Sequence, residues 1–170
     1  TIDYYGGFRP GDNLYGASLI ALDTRTGERA WHFQMVKHEI WNFDNPTAPV
    51  LLDLDVPGQG RVPAVMQATK QSWVYAFNRV TGEPIWPIVD RPVPASIVPG
   101  EVLSPTQPHV THPAPYDMQG ITEEDLIDFT PALRAEALEV MEEYVMGPLF
   151  NPPIHADNAM GKYAAMNCPG

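Results

Sequence analysis

The sequence contains one segment twice, with an offset of 55 residues. Segment 21–31 (ALDTRTGERAW) returns as segment 76–86 (AFNRVTGEPIW). Each copy predicts a strand ending in Asp or Asn, a Thr-Gly turn, a short return strand and a Trp, because Asp and Asn bond their own turn and Gly accepts positive φ. Two unrelated hairpins are the alternative, and the matched Ala, Asp or Asn, Thr-Gly and Trp positions argue against it. Because a single hairpin is marginally stable in water, the repeat predicts several units packed together.

Composition narrows the class of protein. Of the 170 residues 44% are hydrophobic, which suffices for a core, and the net charge of −11 argues against a nucleic-acid partner. Cys168 is the single cysteine, so neither an internal disulfide nor a cysteine-based zinc site is expected. No apolar run reaches the roughly 18–20 residues of a membrane span. We expect a piece of a longer protein, because the chain starts at Thr1 without Met and ends in loop-like sequence.

Periodicity divides the chain into four parts. Alternating residues predict strands within 1–88, and segment 37–46 predicts a loop. Segment 89–120 is rich in proline and predicts an extended surface excursion. Segment 121–147 predicts a helical packing insert that starts at Thr130-Pro131, has its apolar face through about Met146 and stops at Gly147-Pro148. Segment 148–170 predicts a loop leading into a further unit. The predicted strands are 17–22, 29–35, 50–54, 62–68, 73–77 and 84–88.

The Trp after each Thr-Gly turn resembles the tryptophan-docking motif of quinoproteins, the dehydrogenases that depend on pyrroloquinoline quinone (PQQ). The resemblance covers nearly the whole chain and implies an all-β fold. We expect a partial β-propeller of about two blades with tryptophan-docking motifs, plus a Pro-rich, partly helical insert. Trp31 and Trp86 would then be equivalent wedges between blades of an eight-bladed ring. Further similar segments are 9–13 (RPGDN), 38–44 (HEIWNFD), 63–70 (PAVMQATK), 79–83 (RVTGE), 92–94 (PVP), 105–108 (PTQP) and 150–153 (FNPP), several of them typical of the membrane glucose dehydrogenase branch.

The resemblance also implies a reaction and its participants. In this family a metal ion (Ca²⁺, a lanthanide or Mg²⁺) polarises PQQ, and a carboxylate takes the hydroxyl proton of an alcohol, polyol or sugar. Electrons pass on to cytochrome c or ubiquinone. The location would be periplasmic, with possible membrane association. Other metal ligands would precede Thr1, and the remaining blades or other chains would complete the ring.

Segment 38–44 carries the first candidate site residues. The family's base is the Asp directly after the Trp of a His-Asp-x-Trp-Asp-x-Asp pattern, and this chain has Asn42 there. An amide cannot accept a proton near neutral pH, so Asn42 would orient the substrate or ligate the metal. We hypothesise that Asp44, two residues on, serves the metal ion and takes the role of base. The alternative is a solvated acid that caps the Asn45-Pro46 turn.

Lys70 is the candidate cofactor-binding residue. It matches the family's basic residue beside the quinone oxygens, where a cation stabilises the negative charge of the reduced cofactor. The alternative is a lysine in a hairpin turn. His38 is either a residue next to the site or a structural hydrogen-bonder, and Trp41 and Trp73 are expected to pack.

Three functions remain open from the sequence. The first is a quinoprotein dehydrogenase, favoured by Lys70, Asp44 and the long insert. The second is a non-catalytic propeller that serves as a scaffold or binding protein, favoured by Asn42. The third is a generic carbohydrate-binding β domain, which is supported only by the aromatic content.

Overall fold

The computed structural model of the chain describes residues 3–167. Within that range the chain forms nine β-strands, one α-helix and one short 3₁₀ helix, Glu123–Asp125. The fold is therefore mostly β, as expected, and residues 3–167 do not close a propeller. The elements are β1 Ser18–Leu22, β2 Arg29–Gln34, β3 Val50–Val56, β4 Gly60–Ala68, β5 Val74–Asn78, β6 Ile88–Pro92, β7 Thr106–Val110, α1 Pro131–Glu142, β8 Tyr144–Val145 and β9 Tyr163–Ala164.

The first strands pair as their alternating sequences predict. β1 pairs antiparallel with β2, and β3, β4 and β5 form an antiparallel three-stranded sheet in that order. The predicted strand over 84–88 is wrong. Only Pro84 forms a bridge, to Phe77, and the next strand begins at Ile88. Proline has no N–H to donate to a ladder, which limits the pairing at this point.

The two repeated turns have the same structure. Gly27 donates its backbone N–H to the carbonyl of Asp23 at 2.7 Å, and Gly82 donates to the carbonyl of Asn78 at 2.8 Å. The two glycines have φ of 75° and 77°, the left-handed region that an L side chain rarely adopts. The side-chain oxygens of Asp23 and Asn78 each accept the N–H two residues on. The sequence repeat is thus a structural repeat.

Trp31 joins the two units. Its indole lies against Gly82, where an added Cβ would be 2.6 Å from the ring. Its Nε1–H donates to the carbonyl of Arg79 at 3.1 Å. The Trp of the first unit therefore docks on the turn of the second unit.

Trp86 has different surroundings. Its ring packs against His112, with 4.7 Å between the ring centroids. The prediction that Trp31 and Trp86 have equivalent surroundings is wrong for the described residues. The physical reason is that, among residues 3–167, the Thr-Gly turn at Gly82 is occupied by Trp31, and Trp86 packs on His112 instead.

The sheet of β3, β4 and β5 is packed on both faces. Val65, Tyr75 and Phe77 belong to a large aromatic cluster, whereas Ala64 and Ala76, which alternate with them, belong to a second cluster. Alternation places successive strand residues on opposite faces. The aromatic cluster is completed by buried residues from the loop after β2, from the turn before β5 and from the C-terminal part of the chain, namely Met35, Val36, Ile40, Trp41, Phe43, Trp73, Leu149 and Phe150.

The Pro-rich segment is more ordered and more buried than predicted. β6 and β7 pair antiparallel, a hairpin that is not predicted from the sequence, whereas residues 93–100 between them form an irregular and mostly exposed stretch. Gln107 is fully buried. Its side-chain oxygen accepts the N–H of Lys37 at 2.8 Å, and its amide nitrogen donates to the carbonyl of Lys37 at 2.6 Å. This long-range pair holds the hairpin on the core.

The helix starts as predicted but ends earlier. The Thr130 hydroxyl accepts the N–H of Leu133 at 3.2 Å, and Pro131 is the first helical residue. The helix ends at Glu142 instead of Met146, because Tyr144 and Val145 pair with β9. The expectation of a packed insert is also wrong, since no residue of α1 is buried. Its apolar side lines an open groove of about 480 Å³. Neither helix within residues 3–167 has the length and hydrophobicity that a membrane span requires.

Two glycine variants test the docking of Trp31. In the full-length protein, Gly82→Ala and Gly27→Ala both incur the strain of a positive φ, about 1–2 kcal/mol. A Cβ at residue 27 meets nothing within 4 Å, whereas a Cβ at residue 82 displaces the indole. We expect Gly82→Ala to lower the free energy of unfolding by about 1–3 kcal/mol more than Gly27→Ala does. Urea denaturation measures both, and equal losses would contradict the docking.

His109 on β7 gives a pH dependence. Burial lowers the pKa of this imidazole below its ordinary value of 6.5, because the charged form is disfavoured beside Trp73. The unfolded chain therefore binds the proton more readily, and stability is lost as pH falls from about 6.5 through the folded-state pKa. We expect His109→Gln to flatten this part of the stability profile of the full-length protein. An unchanged slope below pH 6.5 in thermal denaturation would refute the assignment.

Candidate functional site

Lys70 lies in the short connection between β4 and β5. Thr69 donates its N–H to the carbonyl of Trp73 at 3.0 Å, and Ser72 donates to the carbonyl of Thr69 at 3.1 Å. Ser72 has a φ of 63°, so the chain reverses tightly after the lysine. The Lys70 side chain is only 18% exposed. It is therefore more enclosed than an ordinary hairpin-turn lysine.

A buried carboxylate shapes the loop that carries Asn42. Glu39 is 3% exposed, and its Oε1 accepts the N–H of Trp41 at 2.6 Å and that of Phe43 at 2.9 Å. Asn42 lies between these two donors with a φ of 62°, a conformation that Asn tolerates better than most residues. The neighbouring rings are anchored in the core, and Trp41 also donates its Nε1–H to the carbonyl of Asn151 at 2.9 Å.

The three predicted site residues meet in space. The Lys70 Nζ donates to the Asn42 Oδ1 at 3.0 Å and to the Asp44 Oδ1 at 3.1 Å. The Asp44 side chain is 63% exposed, so it is solvated, but its carboxylate is paired with the lysine. An ion pair with one exposed partner contributes only about 0–1 kcal/mol to the free energy of unfolding. The stability that this pair provides is therefore too small to explain the arrangement. The cluster is an enclosed cation between an amide oxygen and an accessible carboxylate.

Asn42 and Asp44 fit part of a metal site. Amide and carboxylate oxygens are the donors that Ca²⁺ and Mg²⁺ prefer, and Ca²⁺ takes about 6–8 of them. Residues 3–167 contain no group of three or more His, Cys, Asp or Glu side chains that could hold a metal ion. Asn42 and Asp44 therefore fit a metal ion as two members of a larger set of ligands. The ammonium of Lys70 beside them fits the anionic oxygens of a reduced quinone.

The other predicted residues lie as follows. His38 is buried, and its Nδ1–H donates to the carbonyl of Gly11 at 2.6 Å, which is a structural bond. Trp41 and Trp73 are 1% and 2% exposed, so the prediction that they pack is confirmed. Cys168 lies outside the described residues.

Sequence reasoning missed the residues that support the site. Glu39 binds two backbone amides, and its place beside His38 in the aromatic segment was the signal that could have found it. The strap, defined as residues 116–119, contacts the turn of Lys70 through Tyr116 and Gln119. These contacts are made to backbone carbonyls, which every residue has, so the sequence carries no signal for them.

Comparison with known proteins places the chain in a family. The PQQ family described as "Glucose/ethanol/alcohol dehydrogenase, beta-propeller domain" matches residues 1–167. The chain belongs to this family. The chain is 34% identical to a quinate/shikimate dehydrogenase (quinone) of Acinetobacter baylyi. The match extends over 132 residues, which are 77% of the chain and 16% of that protein.

The chain is also similar to a second relative and to a solved structure. A quinoprotein glucose dehydrogenase of Escherichia coli is 38% identical over 109 residues, which is 64% of the chain and 14% of that protein. Among solved structures, a quinohemoprotein alcohol dehydrogenase of Pseudomonas putida is 30% identical with a TM-score of 0.44, over 50% of the chain and 14% of that structure. The chain thus spans about a sixth of the length of the relatives that it matches.

Two substitutions at Glu39 test how the Asn42 loop is held. Glu39→Ala removes the acceptor of two buried N–H groups, and each unsatisfied donor costs about 1–3 kcal/mol. Glu39→Gln keeps a carbonyl oxygen for the same donors. We therefore expect the Ala variant of the full-length protein to lose about 2–4 kcal/mol more of the free energy of unfolding than the Gln variant, measured by urea denaturation. Equal losses would mean that these bonds do not hold the loop.

Proposed function

We propose that this chain forms the part of a PQQ-dependent dehydrogenase that carries the quinone-facing lysine and part of the metal site. The whole enzyme would oxidise an alcohol, polyol or sugar by hydride transfer to metal-bound PQQ. The observation that carries the proposal is the enclosed Lys70 ammonium, bonded at once to Asn42 and Asp44. Family membership supports the cofactor class.

Lys70 would hold the quinone oxygens. Its ammonium is largely shielded from solvent, so salt and water screen its charge less than they screen a surface lysine. A fixed positive charge stabilises negative charge that develops beside it without reorganisation at the moment of reaction. When bound, PQQ supplies the two-electron acceptor and the metal ion, Ca²⁺ or a lanthanide or Mg²⁺, supplies Lewis acidity.

Asp44 would take the hydroxyl proton. It is the accessible carboxylate of the cluster, and its Oδ1 lies 3.1 Å from the Lys70 ammonium. Asn42 would bind the substrate hydroxyl or the metal with its amide, because the amide cannot act as a base. Both residues would also supply oxygen donors to the metal ion.

A second candidate function is a propeller that has kept its fold and lost its chemistry. Asn42 favours it, since the family's base stands at that position. The retained Lys70 and Asp44 favour the enzyme. The two candidates differ in turnover with bound cofactor, and this difference decides between them.

The substrate and partners belong to the same proposal. The two relatives named above are a quinate/shikimate dehydrogenase and a glucose dehydrogenase, and quinate, shikimate and glucose all carry several hydroxyl groups. We propose a polyhydroxylated substrate, cytochrome c or ubiquinone as the electron acceptor, and a periplasmic location. The remaining propeller blades, from the same or another chain, would complete the site. Cell fractionation and dye-free assays with each acceptor test these points.

Turnover of the full-length protein tests the proposal. Loaded with PQQ and Ca²⁺ or a lanthanide, it is expected to reduce a dye with glucose, quinate or ethanol. Lys70→Met should lower kcat/KM by about 10²-fold, the effect of removing one preorganised charge-stabilising donor. Lys37→Met is the matched control, because Lys37 is also ion-paired and 22% exposed. No turnover with PQQ bound would support the scaffold instead.

The role of Asp44 has its own test. Asp44→Asn keeps the size of the side chain and removes the proton acceptor, so we expect kcat to fall by about 10²- to 10⁴-fold. Adding Asn42→Asp to this variant places a carboxylate two residues away and should restore part of the lost rate. Stopped-flow or steady-state dye reduction measures both. Full turnover in Asp44→Asn would exclude Asp44 as the base.

A further inference from the structure

The turn that carries Lys70 is bonded by a distant segment. Tyr116 donates its hydroxyl to the carbonyl of Thr69 at 2.5 Å and its backbone N–H to the carbonyl of Ser72 at 3.0 Å. Gln119 donates its Nε2–H to the carbonyl of Gln71 at 2.8 Å. The strap therefore binds three of the four carbonyls in a four-residue turn, on both sides of the lysine in sequence.

These bonds act on the backbone from which the lysine extends. The position of the Lys70 ammonium depends on the backbone of the turn and on the side chain that links the two. This side chain is flexible and has large rotamer freedom. Asn42 and Asp44 fix the far end of that side chain. The strap fixes the near end. A catalytic charge that is displaced by about 1 Å loses much of its effect, so both ends matter.

The Tyr116 hydroxyl is suited to this contact. The residue is 54% exposed, so burial of its ring is not its main contribution. Burial of the hydroxyl raises the pKa of Tyr116 above its ordinary value, with a smaller contribution from the neighbouring Asp117. The hydroxyl therefore stays protonated and remains a donor throughout the neutral range.

We propose that Tyr116 and Gln119 are positioning residues for Lys70. The strap holds the lysine, before a quinone binds, in the position from which its ammonium contacts the quinone oxygens. The positioning of Lys70 stands on the contacts themselves, whereas its consequence for PQQ rests on the function proposed above. The strap would act on the lysine through the backbone of the turn.

A double-mutant cycle on PQQ affinity in the full-length protein tests the consequence. Tyr116→Phe keeps the ring and removes the hydroxyl, and we expect the Kd for PQQ to rise about three- to tenfold, the value of one hydrogen bond. In a Lys70→Met background the same change should alter the Kd less than about twofold, because the residue through which it acts is gone. Tyr163→Phe, at an exposed tyrosine of β9, is the matched control and should change nothing.

Chemical labelling of lysines tests the positioning without any cofactor. The chain has Lys37, Lys70 and Lys162, so the two others serve as internal references. Tyr116→Phe and Gln119→Met should each raise the acetylation rate of Lys70 several-fold relative to the references, read by mass spectrometry. An unchanged rate in both variants would overturn the positioning role.

The outcomes separate the two proposals. Equal effects of Tyr116→Phe on the Kd with and without Lys70 would make the tyrosine a merely structural residue and overturn the inference. A Kd for PQQ that does not change in Lys70→Met would refute the proposed role of the lysine. In that case the labelling rate alone still decides whether the strap positions it.

Discussion

The described fold depends on the contact between the Trp31 indole and the turn at Gly82. A hairpin of this size is marginally stable alone, so each unit needs a neighbour to cover its face. Trp31 provides that cover by resting on a glycine whose missing side chain leaves room for the ring. The hydrogen bond to the carbonyl of Arg79 fixes the direction of approach. Two separate hairpins thereby become one packed unit.

This packing makes the site possible. Asn42 and Asp44 belong to the loop after the first unit, and Lys70 belongs to the turn between β4 and β5, just before the second unit. They meet because the buried rings around Trp41 and Phe43 anchor the loop on the sheet that carries the lysine. Glu39 restricts the backbone of the loop that carries Asn42 and Asp44. The strap restricts the backbone of the turn that carries Lys70. The cluster is therefore built on rigid neighbours, although it lies at loops.

The sequence predicts what is decided by local chemistry. The two Thr-Gly turns, most of the early strands and the Thr130 cap follow from residue preferences within a few positions, and the structure has them. The hairpin of β6 and β7 was not predicted, because its position depends on Gln107 bonding Lys37, 70 residues away. The early end of α1 depends on the pairing of Tyr144 with Tyr163, which lies outside the helix and its neighbouring residues. The site residues were found through the resemblance, and the residues that hold them in place were not.

The most direct test of the central claim is an experimental structure of the full-length protein with PQQ and a metal ion bound. We expect the Lys70 Nζ to lie within about 3.2 Å of a quinone oxygen, a normal hydrogen-bond distance, with Asp44 beside the metal ion. We also expect Trp31 to remain on the turn at Gly82. A quinone bound elsewhere, with Lys70 paired only to Asn42 and Asp44, would contradict the central claim.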